Sequence, residues 1–381
     1  MNRIYMDHAA STPVHPLVAE EMLGVMTGAY GNASSVHAFG REAKRIVAAA
    51  RERAAAAIGA RPGELVFTSG GTESDNAALL GAAAARIDRG RHLLVSRIEH
   101  HAVLHTAERL EEQGFEVEYI PVDEGGRVDV GWIREHTRPD TTLISVMYAN
   151  NEVGTIQPVE EIAAFARERG VWFHTDAVQA LGSLRVDCAA MGADLVSFSA
   201  HKINGPQGIG ALYIAPQIKL PPLLLGGNQE RGRRAGTENL AGIAGFARAA
   251  ELAASGLEER REHALRLRAQ LLDGLRAGIG GDQFVVNGDP DHTLAHIVNI
   301  SFPSVGTETM LMNLDMEGIA AASGSACTSG SLETSHVLRA MNLSENVLNS
   351  AIRFSFGLGN TSEEIEFVVK KVETIIRRVR R

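Results

Sequence analysis

The chain has 381 residues, 45% of them hydrophobic and 22% charged, with a formal net charge of −9. That length calls for more than one core, and the ordinary composition points to a soluble globular protein. The acidic balance argues against a nucleic-acid-coating or membrane-hugging surface, and no apolar run nears the about 20 residues that cross a bilayer.

From about residue 60 to 215, strand-like and helix-like stretches alternate. Apolar runs at 64–68, 92–97, 115–120, 141–149, 171–176 and 195–199 read as strands. Residues 74–89, 102–113 and 159–169 carry apolar positions at helical spacing. This alternation predicts an α/β domain with a large, mostly parallel sheet covered on both faces, and 208–214 fits an added antiparallel strand. Helices follow at 240–254 and 257–277, the second amphipathic. Beyond them, strands at 284–287, 296–302 and 352–356 and helices at 308–316 and 362–380 predict a smaller α+β domain. The predicted division is an N-terminal segment, 1–14, packing with the small domain; a large domain, 15–256; and a small domain, 257–381. The N-terminus lacks a secretory apolar stretch, and the two cysteines, Cys188 and Cys327, exclude a disulfide framework, so a cytoplasmic location is expected.

Several strand ends carry groups with chemical potential. Residues 67–76 (FTSGGTESDN) end a strand and open a helix. Gly70 and Gly71 let backbone N–H groups approach an anion and Thr72 can cap the helix, so phosphate is the expected guest; a routine strand–helix turn fits equally well. In 98–102 (IEHHA), His100 follows a strand, where imidazole can stack on a planar ring and pass protons, or simply cap the next helix. Asn151, in NNEVG (150–154), lies at another strand end, where asparagine is also at home in a turn.

Asp176, in FHTDAVQ (173–179), could hold a pyridinium nitrogen protonated, and Gln179 could reach a ring hydroxyl. Read alone, Asp176 is a helix cap. Lysine is scarce: beside arginine-rich stretches stand only Lys44, Lys202, Lys219, Lys370 and Lys371. Lys202 alone follows an apolar strand and precedes glycines, in SFSAHKINGPQGIG (197–210), with Ser199 and His201 as flanking phosphate donors. It is the candidate for covalent chemistry, since desolvation or nearby positive charge makes lysine nucleophilic.

Cys327 sits among small residues in ASGSACTSGS (322–331), a setting for an accessible thiol, nucleophilic if a positive group lowers its pKa. Cys188, in an apolar helical pattern, reads as structural. Arg353, inside the apolar strand AIRFS (351–355), needs a partner. A substrate carboxylate would serve, as would a structural salt bridge, the simpler reading of Arg353 alone.

Together and in this order, these segments resemble the cysteine desulfurases of the class V aminotransferase family, of the type serving nitrogen fixation and iron–sulfur-cluster assembly. The resemblance runs nearly end to end, from YMDHAASTP (5–13) to the last strand and helix, and SAHK (199–202) with SGSACT (323–328) is a specific pair. It implies a pyridoxal-phosphate enzyme of fold type I that converts L-cysteine to L-alanine and receives the sulfur on Cys327 as a persulfide.

By position, the resemblance makes Lys202 the cofactor-bearing lysine, Asp176 the pyridinium partner, Gln179 the ring-hydroxyl contact and His100 the stacking acid–base residue. Gly71, Thr72, Ser199 and His201 would bind phosphate, with Thr237 of RAGTEN (234–239) reaching in from the second subunit of a homodimer. Asn151 also falls among the cofactor contacts; Asn151 and Arg353 would meet substrate, with Asn32 of GNA (31–33) a further candidate. No metal is implied. The sulfur acceptor would be a protein such as an iron–sulfur scaffold or a tRNA-thiolation enzyme, with no direct nucleic-acid or membrane contact. The resemblance departs at Gly71, where alanine is frequent, and at Asn204, where an aromatic is frequent. A selenocysteine lyase or another class V aminotransferase is the enzymatic alternative, and a sulfur-relay scaffold on this fold the non-enzymatic one.

Overall fold

The protein is described from a computed structural model, which covers residues 3–324 and 334–380. Its strands run β1 (Ile4–Tyr5), β2 (Leu65–Thr68), β3 (His92–Ser96), β4 (Glu116–Ile120), β5 (Thr141–Ser145), β6 (Trp172–Asp176), β7 (Leu195–Ser199), β8 (Gly210–Ile214), β9 (Val285–Asn287), β10 (Ile297–Ser301), β11 (Ile319–Ala320) and β12 (Ala351–Ser355). β2 to β8 form one sheet in the order β2-β8-β7-β6-β5-β3-β4. β3 to β7 pair in parallel, whereas β8 is antiparallel to both β2 and β7. The interior strands β3, β5, β7 and β8 are buried at every position, as a sheet covered on both faces requires.

The expected strand at 141–149 is regular only over Thr141–Ser145. Its continuation still follows β6, Val146 N donating to His174 O at 3.1 Å and Tyr148 N to Asp176 O at 2.8 Å, before Asn150 N turns to Thr155 O at 2.9 Å. Strand order reverses between β3 and β5, so the loops leaving these strands diverge and open a crevice at the carboxyl end of the sheet. Helices Pro16–Gly28 and Ala38–Ala57, which come before the sheet in the chain, pack on helix Leu240–Ser255.

A second core is built on the antiparallel sheet β12-β10-β9. Helix Ser362–Val379 buries Ile365, Val368, Val372, Ile375 and Ile376, spaced three, four, three and one residues apart along one face. A capping box joins Thr361 and Glu364 at its start. Each such side chain contributes about 1.5–3 kcal/mol of burial. The N-terminal segment belongs to this core: β1 pairs in parallel with β11, and Ile4 and Met6 are buried there. Val337, Leu338, Met341 and Leu348 instead join the core around the large sheet, so the chain returns to that sheet after residue 334. Cys188 is fully buried at the start of helix Cys188–Met191, and burial pushes its thiol well up, in keeping with a structural role.

Candidate active site

The crevice holds a cavity of about 250 Å³. Gly71, Thr72, His100, Asn151, Asp176, Gln179, Ser199, His201, Lys202 and Arg353 all line it, so ten of the residues picked from sequence meet around one space. They arrive from different elements. Gly71 and Thr72 open helix Gly71–Ala85, Asp176 ends β6, Ser199 ends β7, Lys202 closes the turn Ala200–Lys202, and Arg353 lies in β12 of the other core.

The turn after β2 is built for close approach. Gly70 caps helix Gly71–Ala85 without a side-chain hydrogen bond, leaving first-turn amides for another acceptor. A Cβ on Gly210 of β8 would overlap Phe198 O and the Gly70 backbone, so glycine lets β8 pass directly under this turn. A Cβ on Gly71 would come within 2.9 Å of Val178 Cγ2. Around the same cavity stand Ser199 and His201, the latter 3.3 Å from Ser11 Oγ through Nδ1.

Asp176 is 5% exposed and accepts a hydrogen bond from Val178 N at 2.8 Å. Burial, reinforced by Asp75, raises its pKa to about 7, against the pull of Val178 N, His174 and Lys202. Gln179 donates to Ala9 O at 2.9 Å, and Lys202 Nζ donates to Ala9 O and Ala10 O at 2.6 and 2.7 Å. The N-terminal segment is therefore part of the cavity wall. His100 caps helix His101–Glu112, its Nδ1 accepting from Ala102 N at 3.1 Å; burial, and then Lys202, lower its pKa to about 4. Near neutral pH its ring is uncharged, with the hydrogen on Nε2.

Arg353 is 1% exposed. One guanidinium nitrogen donates to Asp7 Oδ1 at 2.6 Å and another to Asn151 O at 2.8 Å. Among the described residues its Nε has no partner. The salt bridge that β12 demanded is there, on a side chain that also faces the cavity. Asn204, beyond Lys202, takes a left-handed backbone (φ 62°) that asparagine tolerates, and donates to Pro13 O at 2.9 Å.

A model of the aminotransferase class-V family matches residues 4–368. The chain belongs to that family. It is 51% identical, over the full length of both chains, to a protein of Bacillus subtilis named putative cysteine desulfurase IscS 1. A solved structure described as a NifS-like protein aligns with a TM-score of 0.93 at 38% identity, over 99% of this chain and 100% of the other. A second, described as SspA in complex with cysteine, aligns at 0.80 with 35% identity, over 93% of this chain and 99% of that one.

Enzymes of this family use pyridoxal phosphate, and the residues fit it. The uncapped helix end suits a phosphate, and a buried carboxylate at the end of β6 suits a ring nitrogen. The cavity also holds a residue that sequence reasoning passed over. Asp75 is 1% exposed and lines the cavity, and its Oδ1, 3.5 Å from His174 Nε2, has no hydrogen-bond partner among the described residues. It lies one helical turn after Gly71 and Thr72, a spacing that could have flagged it.

Two expected site residues do not line this cavity. Asn32 is exposed and uses its side-chain oxygen to accept from Ser34 N at 2.9 Å. Thr237 is exposed, in the loop before helix Leu240–Ser255. Cys327 lies outside the described residues. No helix of the described residues is long and apolar enough to cross a membrane, and no metal-binding group of side chains occurs among them.

Proposed function

We propose that this chain is a pyridoxal-phosphate-dependent cysteine desulfurase that converts L-cysteine to L-alanine and takes the sulfur onto Cys327 as a persulfide. The observation that carries this reading is the meeting of Lys202, Asp176 and Arg353 around one cavity. When bound, the cofactor supplies an electron sink for the substrate's α-carbon.

The chain's own groups do the rest. First-turn amides at Gly71 and Thr72, with Ser199 and His201, hold the phosphate; Asp176 keeps a proton at the ring nitrogen, and Gln179 serves the ring hydroxyl. Arg353 binds the substrate carboxylate, with Asn151 beside it and Asp7 steadying the far side of the guanidinium. Lys202 Nζ is steered by the Ala9 and Ala10 carbonyls to take the α-proton. Neutral His100, carrying its hydrogen on Nε2, assists proton transfer at the substrate. The Cys327 thiolate then attacks the substrate sulfur; the S–Cβ bond breaks, its electron pair stays on the carbon side, and protonation yields alanine. In sum, cysteine and a protein thiol become alanine and a protein persulfide.

The exposed Thr237 and Asn32 suit a homodimer in which Thr237 completes the partner's phosphate site and Asn32 lies near substrate. The persulfide would pass to an acceptor protein of iron–sulfur assembly or tRNA thiolation in the cytoplasm. Holoenzyme given L-cysteine should release alanine and gain about 32 Da, one sulfur atom, on Cys327. Cys327→Ala should keep the cofactor colour and lose the adduct. Unaltered turnover in that variant would reject the reading.

A further inference from the structure

Lys202 also stands in the wall of a second cavity, of about 60 Å³, at the junction of the two cores. His8, Arg260, Arg261, His263 and His296 line it with Lys202, and no aspartate or glutamate does. This is an unusual balance for a partly enclosed space. A buried cation is costly unless paired, and buried polar nitrogens are costly unless hydrogen-bonded.

The pairing within the chain falls short. Arg260 makes no salt bridge among the described residues, and its side-chain hydrogen bond runs to a neutral acceptor, Asn204 Oδ1, at 3.1 Å. Arg261 pairs with Glu258 at 3.6 Å through a largely exposed side chain. His8 is 6% exposed, and neither its Nδ1 nor the buried Nε2 of His263 has a hydrogen-bond partner among the described residues. His296 Nδ1 meets only a hydroxyl there, Ser183 Oγ at 3.2 Å.

We propose that this cavity binds a small inorganic anion, held by the guanidinium of Arg260 and the imidazoles of His8 and His263. An anion supplies the missing counter-charge and accepts the unused donors in one step. The electrostatics agree. Burial depresses Arg260, and lowers His8 to about 4 and His296 to about 3; His296 is pushed further by His8, Arg260, Arg353 and Arg268. Three nitrogen donors on three side chains around one small space suit a halide or compact oxyanion. Lys202 stands in both cavity walls, but Arg260, His8 and His263 take no part in the proposed sulfur chemistry, so the site can be tested without it.

The test uses holoenzyme and bromide, with gluconate at matched ionic strength as the bulky control. Bromide should raise the thermal midpoint saturably and gluconate should not, and crystals grown in bromide should show an anomalous peak beside Arg260. Arg260→Gln should weaken the apparent bromide affinity roughly tenfold, the loss of one charged hydrogen bond, and Arg260→Lys should recover part of it. If Arg260→Gln fails to fold, His263→Gln is read the same way, with a smaller loss. Identical bromide and gluconate curves, a wild-type bromide response in the folded variant, or an anomalous peak only elsewhere would overturn the assignment.

Discussion

The cavity's two walls are assembled in different ways. On one side, the large sheet delivers groups from neighbouring strand ends: Gly71 and Thr72 after β2, His100 after β3, Asp176 on β6, Ser199 and Lys202 at the end of β7. On the other, Arg353 comes from the small antiparallel sheet and Ala9 and Ala10 from the N-terminal segment. The first wall needs only the large sheet to form, its parallel strands and the antiparallel β2–β8 edge together. The second depends on contacts between distant parts of the chain: Arg353 and Asp7 are 346 residues apart, and Ala9 is 193 from Lys202 of the sheet wall. Under the proposed function, the sheet wall would serve the cofactor and the assembled wall the substrate. Damage to each should read out differently.

The largest effect should follow Lys202→Ala, on the sheet wall. Turnover should drop by at least about 10³-fold, within the range of a lost general base, and the visible band of the lysine-bound cofactor should vanish from purified protein. Retention of both would move the chemistry off this wall. Arg353→Lys, on the assembled wall, should instead act on KM. An ammonium cannot reproduce the guanidinium's fork toward a carboxylate, Asp7 and Asn151 O together. Steady-state kinetics should show KM for L-cysteine raised roughly 10- to 100-fold, the value of one or two charged hydrogen bonds, with kcat changed less and the cofactor band kept. A loss of kcat at constant KM would erase the distinction between the walls.

The same contrast explains what could be read from the sequence. The strand ends announce themselves within a few residues: glycines after an apolar run at 70–71, a lone lysine after 195–199, a carboxylate closing 172–176. The mostly parallel direction of the strands followed from their alternation with helices; their order across the sheet did not, because alternation does not say which strands are neighbours. The assembled wall had no such local signature. Arg353 was conspicuous as a charge in an apolar strand, but nothing near it named Asp7 as its partner. The two-residue strands β1 and β11 are too short for a period, although they tie the N-terminus to the small core. Residues 146–149 read as strand for a physical reason: Val146, Met147 and Ala149 are buried, and Val146 and Tyr148 still bond to β6, so nothing local marks where the regular strand stops.

Asp75 sharpens the comparison most finely, because it puts a second carboxylate on the sheet wall. Burial raises its pKa to about 7, with Ser197 opposing, and Asp75 in turn lifts Asp176. In the unfolded chain this proton leaves near 3.8, the ordinary aspartate value. Between about pH 4 and pH 7 the native apoprotein therefore binds the extra proton, and stability must fall as pH rises. The contribution is fully present below the unfolded pKa and is lost through the folded one. Asp75→Asn cannot titrate and also relieves Asp176, so its stability should fall less steeply than wild type over this range, by up to roughly 1.4 kcal/mol per pH unit. Urea unfolding of both apoproteins across this pH range measures the difference directly. Parallel pH profiles would mean that Asp75 is already ionised in the fold and does not lift Asp176.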